Sequence, residues 1–531
     1  QAGTVHVADH RVSPGKKLFT WGTNASAQAW YQNLTDEDGP YIELMTGMFT
    51  DNQPDFSWLA PEETRVFEHC WYPVRDIGLV KNATEDAAVS LERTPDGIRI
   101  GLHATGRFPK CRVVLSAAET GDAPGRILYD ATCDLAPDAP FLHTVSWPEA
   151  GMTFGMASAK ESSPVPESPG LLRLTLTDAA GRILVDFDER DEADSLARTY
   201  PTQPARTPTP DPADIATNEE LYLYGLHLEQ YRHHSLDPEA QYREALARDP
   251  GDSRCNRAMG LRCLKRGQFA EAEAFLRTAL ARQTVRNTNP EDGETGYLLG
   301  LALRFQGRDE EAMDRFAKAD WNHAWQSASR LQMAELAGRA GRLEQALSLV
   351  ERALSVAYDS LRGLNLKIAI LRQLGQRDEA VRTAEAALAL DPLNHTARWE
   401  LGLLTEDGAT TQCADMAHSL AENTAAPHSA DVARLLAGKP QAMVDMALAY
   451  RAAGFIGDAL QVLEAMQGEP HPIALCHQAS LLAKAGRMEE AAQMATRIDR
   501  TDPALCRPNR LEDLHAMEQA MVLHPDGSRA A

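Results

Sequence analysis

Six times in the second half of the chain a glycine is followed five residues later by an alanine: Gly267 and Ala272, Gly307 and Ala312, Gly341 and Ala346, Gly375 and Ala380, Gly454 and Ala459, Gly486 and Ala491. Successive glycines stand 40, 34, 34, 79 and 32 residues apart. Nothing else in the sequence constrains the fold as tightly, because a period near 34 residues suits one helical hairpin per repeat. The glycine ends a first helix in a backbone conformation closed to other residues, and the alanine lets a second helix approach closely. Gly260, Gly300 and Gly402 fall inside helices, where a side chain would block that approach. Asp249-Pro250, Asp391-Pro392 and Asp502-Pro503 close three repeats. The widest gap leaves room for one degenerate repeat with an insertion.

The pattern resembles the tetratricopeptide family over about Asn218 to Pro503. That resemblance implies an all-α superhelix whose concave face, lined by first helices, receives an extended segment of another protein or a second copy of the chain. Tyr224, Tyr297 and Trp399 are the expected partner-binding residues, with Tyr222, Arg304 and Tyr450 beside them, since they combine aromatic area with polar tips. Packing between repeats is the competing role for each.

Upstream the character changes at Thr199 to Asn218, where prolines recur at 201, 204, 208, 210 and 212. Prolines at this density lack amide donors and favour extended backbone, so the segment reads as a semi-rigid linker. Before it, short apolar runs such as YIELMTG, GIRIGLHATG, KCRVVLSAA, GLLRLTLTD and GRILVDFDE lie between Gly, Pro and Asp turns, as strands do. The expected organisation is multidomain: an aromatic-rich β region over residues 1–80, a small β-sandwich over 81–197, the linker over 198–217, the repeats over 218–505 and a tail over 506–531.

Charge narrows the partners. The formal net charge of −23 disfavours phosphate backbones and acidic membrane surfaces, so neither nucleic acid nor membrane is expected. The eight cysteines include no CxxC pair, which fits a reducing compartment. With no charged-then-apolar leader and no apolar run of about 18 residues, the cytoplasm is the expected location. The chain opens on Gln1 and enters a strand-like run at once, so it reads as the later part of a longer protein. Neither metal nor cofactor is expected, because no HExxH, GxSxG, phosphate-loop or GxGxxG motif occurs.

One carboxylate raises a question of its own. Glu43 stands between Ile42 and Leu44 in a strand-like run, and strand alternation allows those two to point inward and Glu43 outward. Trp21, Trp30, Tyr31, Trp58, Trp71 and Tyr72 crowd the same region of a chain only 6% aromatic. Flat aromatic faces and carboxylates together suit a sugar, although a β core also collects aromatics.

The order YIELMTG, Gln53-Pro54-Asp55, then Leu59 to Val74 is similar to the C-terminal end of an aldose 1-epimerase (galactose mutarotase) domain, with KKLFTWGTN as the preceding strand. The resemblance implies a fragment of a mutarotase-like β-supersandwich over about residues 1–77, with Glu43 as catalytic general base. Glu62 stands where that family's turn has glycine, and Gln53 and Pro54 come late. Trp21, Trp30, Glu68 and Trp71 are the expected sugar-binding residues, whereas Glu62 and Glu63 are expected on solvated faces. His6, His10 and His69 match no acid motif of the family. The implied function is a carbohydrate-active or carbohydrate-binding β domain coupled to a protein-interaction scaffold, catalytically inert as this segment alone; the rival is a scaffold whose β domains are structural.

Overall fold

The computed structural model describes residues 2–36, 38–48, 59, 61–117, 126–146, 171–190, 209–231, 235–406 and 429–524. They belong to two units, one comprising Gln1–Asp55 with Val66–Pro208 and the other Phe56–Arg65 with Thr209–Ala531.

The β unit is built on two four-stranded antiparallel sheets. One runs β10 (Phe141–Ser146), β7 (Gly97–Ala104), β6 (Ala87–Thr94), β5 (Asn82–Ala83), and the other β12 (Ile183–Asp188), β11 (Leu172–Thr177), β8 (Phe108–Ala117), β9 (Arg126–Leu135). Turns with left-handed Gly181 and with Gly97 connect β11 to β12 and β6 to β7. Alternation places Leu91, Ile98, Ile100 and Leu102 of one sheet against Val113, Leu115, Leu174 and Leu176 of the other, all at most 4% exposed. This is a sandwich core.

A further layer covers the first sheet. Strands β1 (Ala2–Ala8) and β4 (His69–Arg75) pair antiparallel, and their Val5, Tyr72 and Val74 pack with Ile77 on Ala88. Tyr72 donates its hydroxyl proton to the Thr84 carbonyl at 2.8 Å. Gly101 is required there, since a Cβ would come within 2.3 Å of the Ile77 carbonyl oxygen. Beside this layer β2 (Gly15–Thr20) and β3 (Ile42–Gly47) form a two-stranded ribbon joined through α1 (Ala25–Thr35).

The helical unit follows its glycines. All six turn glycines adopt φ between 72° and 85°, and all six paired alanines are fully buried. At each turn the amide after the glycine bonds the carbonyl five residues earlier, as from Arg308 to Leu303 at 3.0 Å and Gln376 to Leu371 at 2.9 Å, which ends the first helix cleanly. Gly260 and Gly300 act as expected: a Cβ would meet Leu276 at 2.6 Å and the Phe316 ring at 2.6 Å.

In chain order the helices are α2 (Asn218–Tyr231), α3 (Glu239–Arg248), α4 (Ser253–Lys265), α5 (Phe269–Gln283), α6 (Glu294–Phe305), α7 (Asp309–Ala319), α8 (Gln326–Arg339), α9 (Leu343–Leu354), α10 (Leu361–Gln373), α11 (Arg377–Leu390), α12 (His395–Glu406), α13 (Ser429–Leu435), α14 (Pro440–Ala452), α15 (Ile456–Glu464), α16 (Pro472–Lys484), α17 (Met488–Ile498) and α18 (Leu511–Leu523). The degenerate repeat expected in the long gap falls partly outside the described residues. Two segments differ from expectation. The end of the proline-rich stretch is held on α3, where Arg248 donates to the Ile215 carbonyl at 2.7 Å, and Ile215 is buried. The expected tail contains α18, which packs on α16.

Helix α18 also returns to the early repeats. His515 stacks on Phe269 and Phe305 with centroids 5.5 and 6.1 Å away, and Leu514 covers Gly267. Helices α8 and α14 touch at Gly338, where a Cβ would lie 2.8 Å from the Ala453 carbonyl oxygen. The array therefore curls until its first-helix faces meet each other.

Candidate functional site

On the β2–β3 ribbon, Glu43 lies directly across from Phe19. Phe19 meets Trp21 edge to face at 5.2 Å, and Trp21 stacks nearly parallel on Trp30 of α1 at 4.7 Å. Trp30 is 46% exposed, and the buried Trp21 indole N–H has no acceptor among the described residues. Glu43 is half-buried and accepts a hydrogen bond from Tyr41, whose hydroxyl pKa is raised by burial and by that carboxylate. Ile42 and Leu44 are 57% and 51% exposed, so they do not turn inward as alternation allowed. Among the described residues no second layer covers that side of the ribbon.

Strand alternation separates the remaining candidates from Glu43. Thr46, on the opposite face of β3, lies 3.1 Å from His69, which is 3.3 Å from His6. His6 packs on Trp71 at 4.6 Å, and burial, Lys16 and His69 lower its pKa. Trp71 thus belongs with the histidines rather than with Trp21 and Trp30, while Glu68 is exposed. Gln53, Pro54, Asp55 and Trp58 lie outside the described residues. His6 and His69 share a face that Glu43 does not.

In the helical unit the expected partner-binding residues have other places. Trp399 is 1% exposed within a cluster with Ala369, Leu403 and Val444, because its face of α12 is the one turned to neighbouring helices. Tyr297 packs on Phe316 and Trp325 with centroids 5.5 and 5.0 Å away. Tyr450 is buried and donates to Glu400 at 2.6 Å. Tyr224 is part-exposed, as are Tyr222 and Arg304. Helix packing explains these positions better than a ligand does.

Polar groups, of which sequence reasoning singled out Arg304 alone, mark the first-helix faces instead. Arg304, Arg372 and Arg451 each stand three residues before a turn glycine, a regularity visible in the repeats themselves. Arg304 bonds Glu335 at 2.6 Å and Arg372 bonds Glu400 at 2.6 Å, each carboxylate coming from the following first helix. Burial alone would raise the Glu335 carboxyl, but Arg362 and Arg304 overcome it and hold the pKa at about 2.

The network continues to a residue expected on a solvated face. Arg362 donates to Glu335 at 2.7 Å and to Glu62 at 3.0 Å, and Ser360 donates to the other oxygen of Glu62 at 3.0 Å. Glu62 adopts φ of 61° and its side chain is only 17% exposed. It leaves solvent because its segment, Phe56–Arg65, belongs to the helical unit. Among the described residues no group of three or more His, Cys, Asp or Glu could hold a metal ion, and no helix is long and apolar enough to cross a membrane.

Three family models match the chain. Residues 1–74 match a domain of unknown function (DUF5107), residues 82–187 match the second domain of YphG-like proteins, and residues 257–325, 367–407 and 444–505 match the tetratricopeptide repeat. None of the three is an aldose 1-epimerase model. Similar solved structures include YrrB, described as a TPR protein with an unusual peptide-binding site, at 17% identity and TM-score 0.30, covering 35% of this chain and 91% of that one. A tetratricopeptide repeat protein from Parabacteroides merdae matches at 17% identity and TM-score 0.30, covering 51% and 98%. The C-terminal part of a TPR repeat-containing protein from Cytophaga hutchinsonii matches at 23% identity and TM-score 0.30, covering 36% and 75%. The C-terminal part of this chain carries tetratricopeptide repeats, on the family match and on its turn geometry.

Proposed function

We propose that the protein is an interaction scaffold whose repeats hold an extended acidic segment against the first-helix face formed by α8 and α10. The observation that supports this most is Glu62, a carboxylate from a remote segment of the same chain already seated on Ser360 and Arg362. A partner peptide with a carboxylate at the matching position would meet the same donors. The test is titration of a synthetic Leu59–Arg65 peptide against the full chain carrying Glu62→Ala. Binding that is gained in this variant and lost when Arg362→Ala is added supports the reading, and equal binding with and without Arg362 defeats it.

A second reading concerns the β unit, where Trp21, Trp30 and Glu43 form a sugar-binding platform. The support is the parallel indole pair with an exposed outer face and an unbonded indole N–H. Glu43 would hold a hydroxyl or, with residues beyond this chain, act as the base of a mutarotase-like reaction. Saturation-transfer NMR with a panel of monosaccharides tests it. Loss of signal in Trp30→Ala is the expected result, and signals unaffected by Trp30→Ala and Glu43→Gln would remove the platform.

A further inference from the structure

Arg451 is the exception among the three arginines that precede turn glycines. Arg304 and Arg372 each meet a glutamate from the next first helix, whereas Arg451 meets His477, with Nη1 3.5 Å from Nδ1. His477 donates its Nε2 proton to Asp513 at 2.7 Å, which leaves Nδ1 to accept from Arg451. Both His477 and Asp513 are buried. The His477 ring stands between Arg451 and Asp513, and among the described residues no carboxylate lies within ion-pair distance of Arg451.

Next to Arg451 is a cavity of about 420 Å³, also lined by Arg304, Arg339, Lys484, His515 and Glu512. Arg304 is paired with Glu335, and Arg339 with Asp309 at 2.9 Å. Lys484, at the end of α16, has no ion pair among the described residues. Two cations on separate helices, α14 and α16, therefore face one space with Glu512 as the only carboxylate in its lining. This local excess arises in a chain of net charge −23, where general attraction of anions is absent.

We propose that this cavity binds a compact, doubly charged oxyanion, with the phosphoryl group of a small molecule as the fitting chemistry and Arg451 and Lys484 as its anchors. A carboxylate is satisfied by a single guanidinium fork, whereas a tetrahedral dianion takes both a fork and a point charge arriving from another direction. The volume is that of a small-molecule site. Binding would neutralise two like charges that otherwise repel each other.

The test is isothermal titration of the full chain with inorganic phosphate and pyrophosphate, with acetate as the comparison anion. Saturable one-to-one binding of either phosphate, at least about tenfold tighter than acetate, is expected. Lys484→Met and Arg451→Gln should each weaken it by about tenfold or more with the far-UV circular dichroism spectrum unchanged. Arg304, Arg339, Arg451, Asp309, Glu512 and His515 are the charged and titratable groups facing Lys484. Burial, then Arg451 and Arg339, bring its pKa down to about 8, so affinity should fall above that pH and lose this dependence in Lys484→Met. Absence of saturable phosphate binding, acetate binding as tightly, or affinity unchanged in Lys484→Met each overturns the proposal. Should Arg451→Gln fail to fold, Lys484→Met decides alone.

Discussion

Glu62 and Arg362, 300 residues apart in sequence, form an ion pair at 3.0 Å. The same guanidinium holds Glu335 at 2.7 Å, and Glu335 in turn holds Arg304, which lines the cationic cavity. One arginine thus serves a carboxylate from a short remote segment and another in the helical core.

The two carboxylates should differ sharply in what their loss costs. Glu335 is 4% exposed, and Glu335→Ala would leave Arg304 without a counter-charge beside Arg362, which keeps only Glu62, a change costing about 3–5 kcal/mol. Glu62 pairs at a partly exposed site, where about 1 kcal/mol or less is at stake. Urea denaturation followed through the helical signal measures both, and an equal loss in the two variants would show that the network is not organised around Glu335.

Acid should act through the same group and through Asp513. Burial works against the Asp513 carboxylate, but hydrogen bonds from His477 and from the Asn509 and Arg510 amides hold its pKa at about 2, as Arg362 and Arg304 do for Glu335. Both values lie below those of the unfolded chain, near 4. Their contribution is therefore complete above about pH 4.5 and lost as pH falls through about 2. Thermal unfolding followed across this window should show a steep acid limb, shallower in Glu335→Gln. An identical limb in the variant would mean that other carboxylates control acid unfolding.

Gly300 and Gly307 are seven residues apart and should fail for different reasons. A methyl at Gly300 meets the Phe316 ring at 2.6 Å, and overpacking of this kind costs about 1–3 kcal/mol. At Gly307 there is open space, but φ is 76°, so Gly307→Ala costs about 1 kcal/mol through backbone strain alone. Adding Phe316→Leu should recover part of the stability of Gly300→Ala and none of Gly307→Ala. Chemical denaturation of the two double variants separates the causes.

The helical half was legible because its determinants are local: a glycine with positive φ and an alanine five residues on specify each hairpin whatever surrounds it. The strand runs were visible for the same reason. Long-range consequences were not. Ile42 and Leu44 are apolar at alternate positions, which predicts burial, yet among the described residues no layer covers them. Trp399 and Tyr297 have side chains suited equally to a groove and to a core, and only the curl of the array decides between them. Glu62 carried no signal at all, since its partners lie about 300 residues away. Arg304, Arg372 and Arg451 did carry one, a shared place before the turn glycine, which becomes informative once Glu335 and Glu400 are seen to answer two of them.

Lys484 offers the most direct comparison between stability and binding. Its pKa of about 8, lowered by burial and by Arg451 and Arg339, lies below that of an unfolded lysine, near 10.4. Between those two values the unfolded chain binds more protons than the folded one, so stability rises with pH across this window. Below about pH 8 the charged ammonium opposes folding. Replacing it by methionine should therefore stabilise the protein at neutral pH, by about 1 kcal/mol once screening by solvent at the cavity is allowed for. The gain should vanish above about pH 10.5, where the wild-type lysine is neutral in both states. Thermal unfolding of the wild type and Lys484→Met at neutral and alkaline pH measures this difference, and phosphate should raise the wild-type midpoint more than that of the variant. A variant less stable than the wild type at neutral pH would show that Lys484 is already paired in solution, and the cavity would then lack the uncompensated charge on which an anion depends.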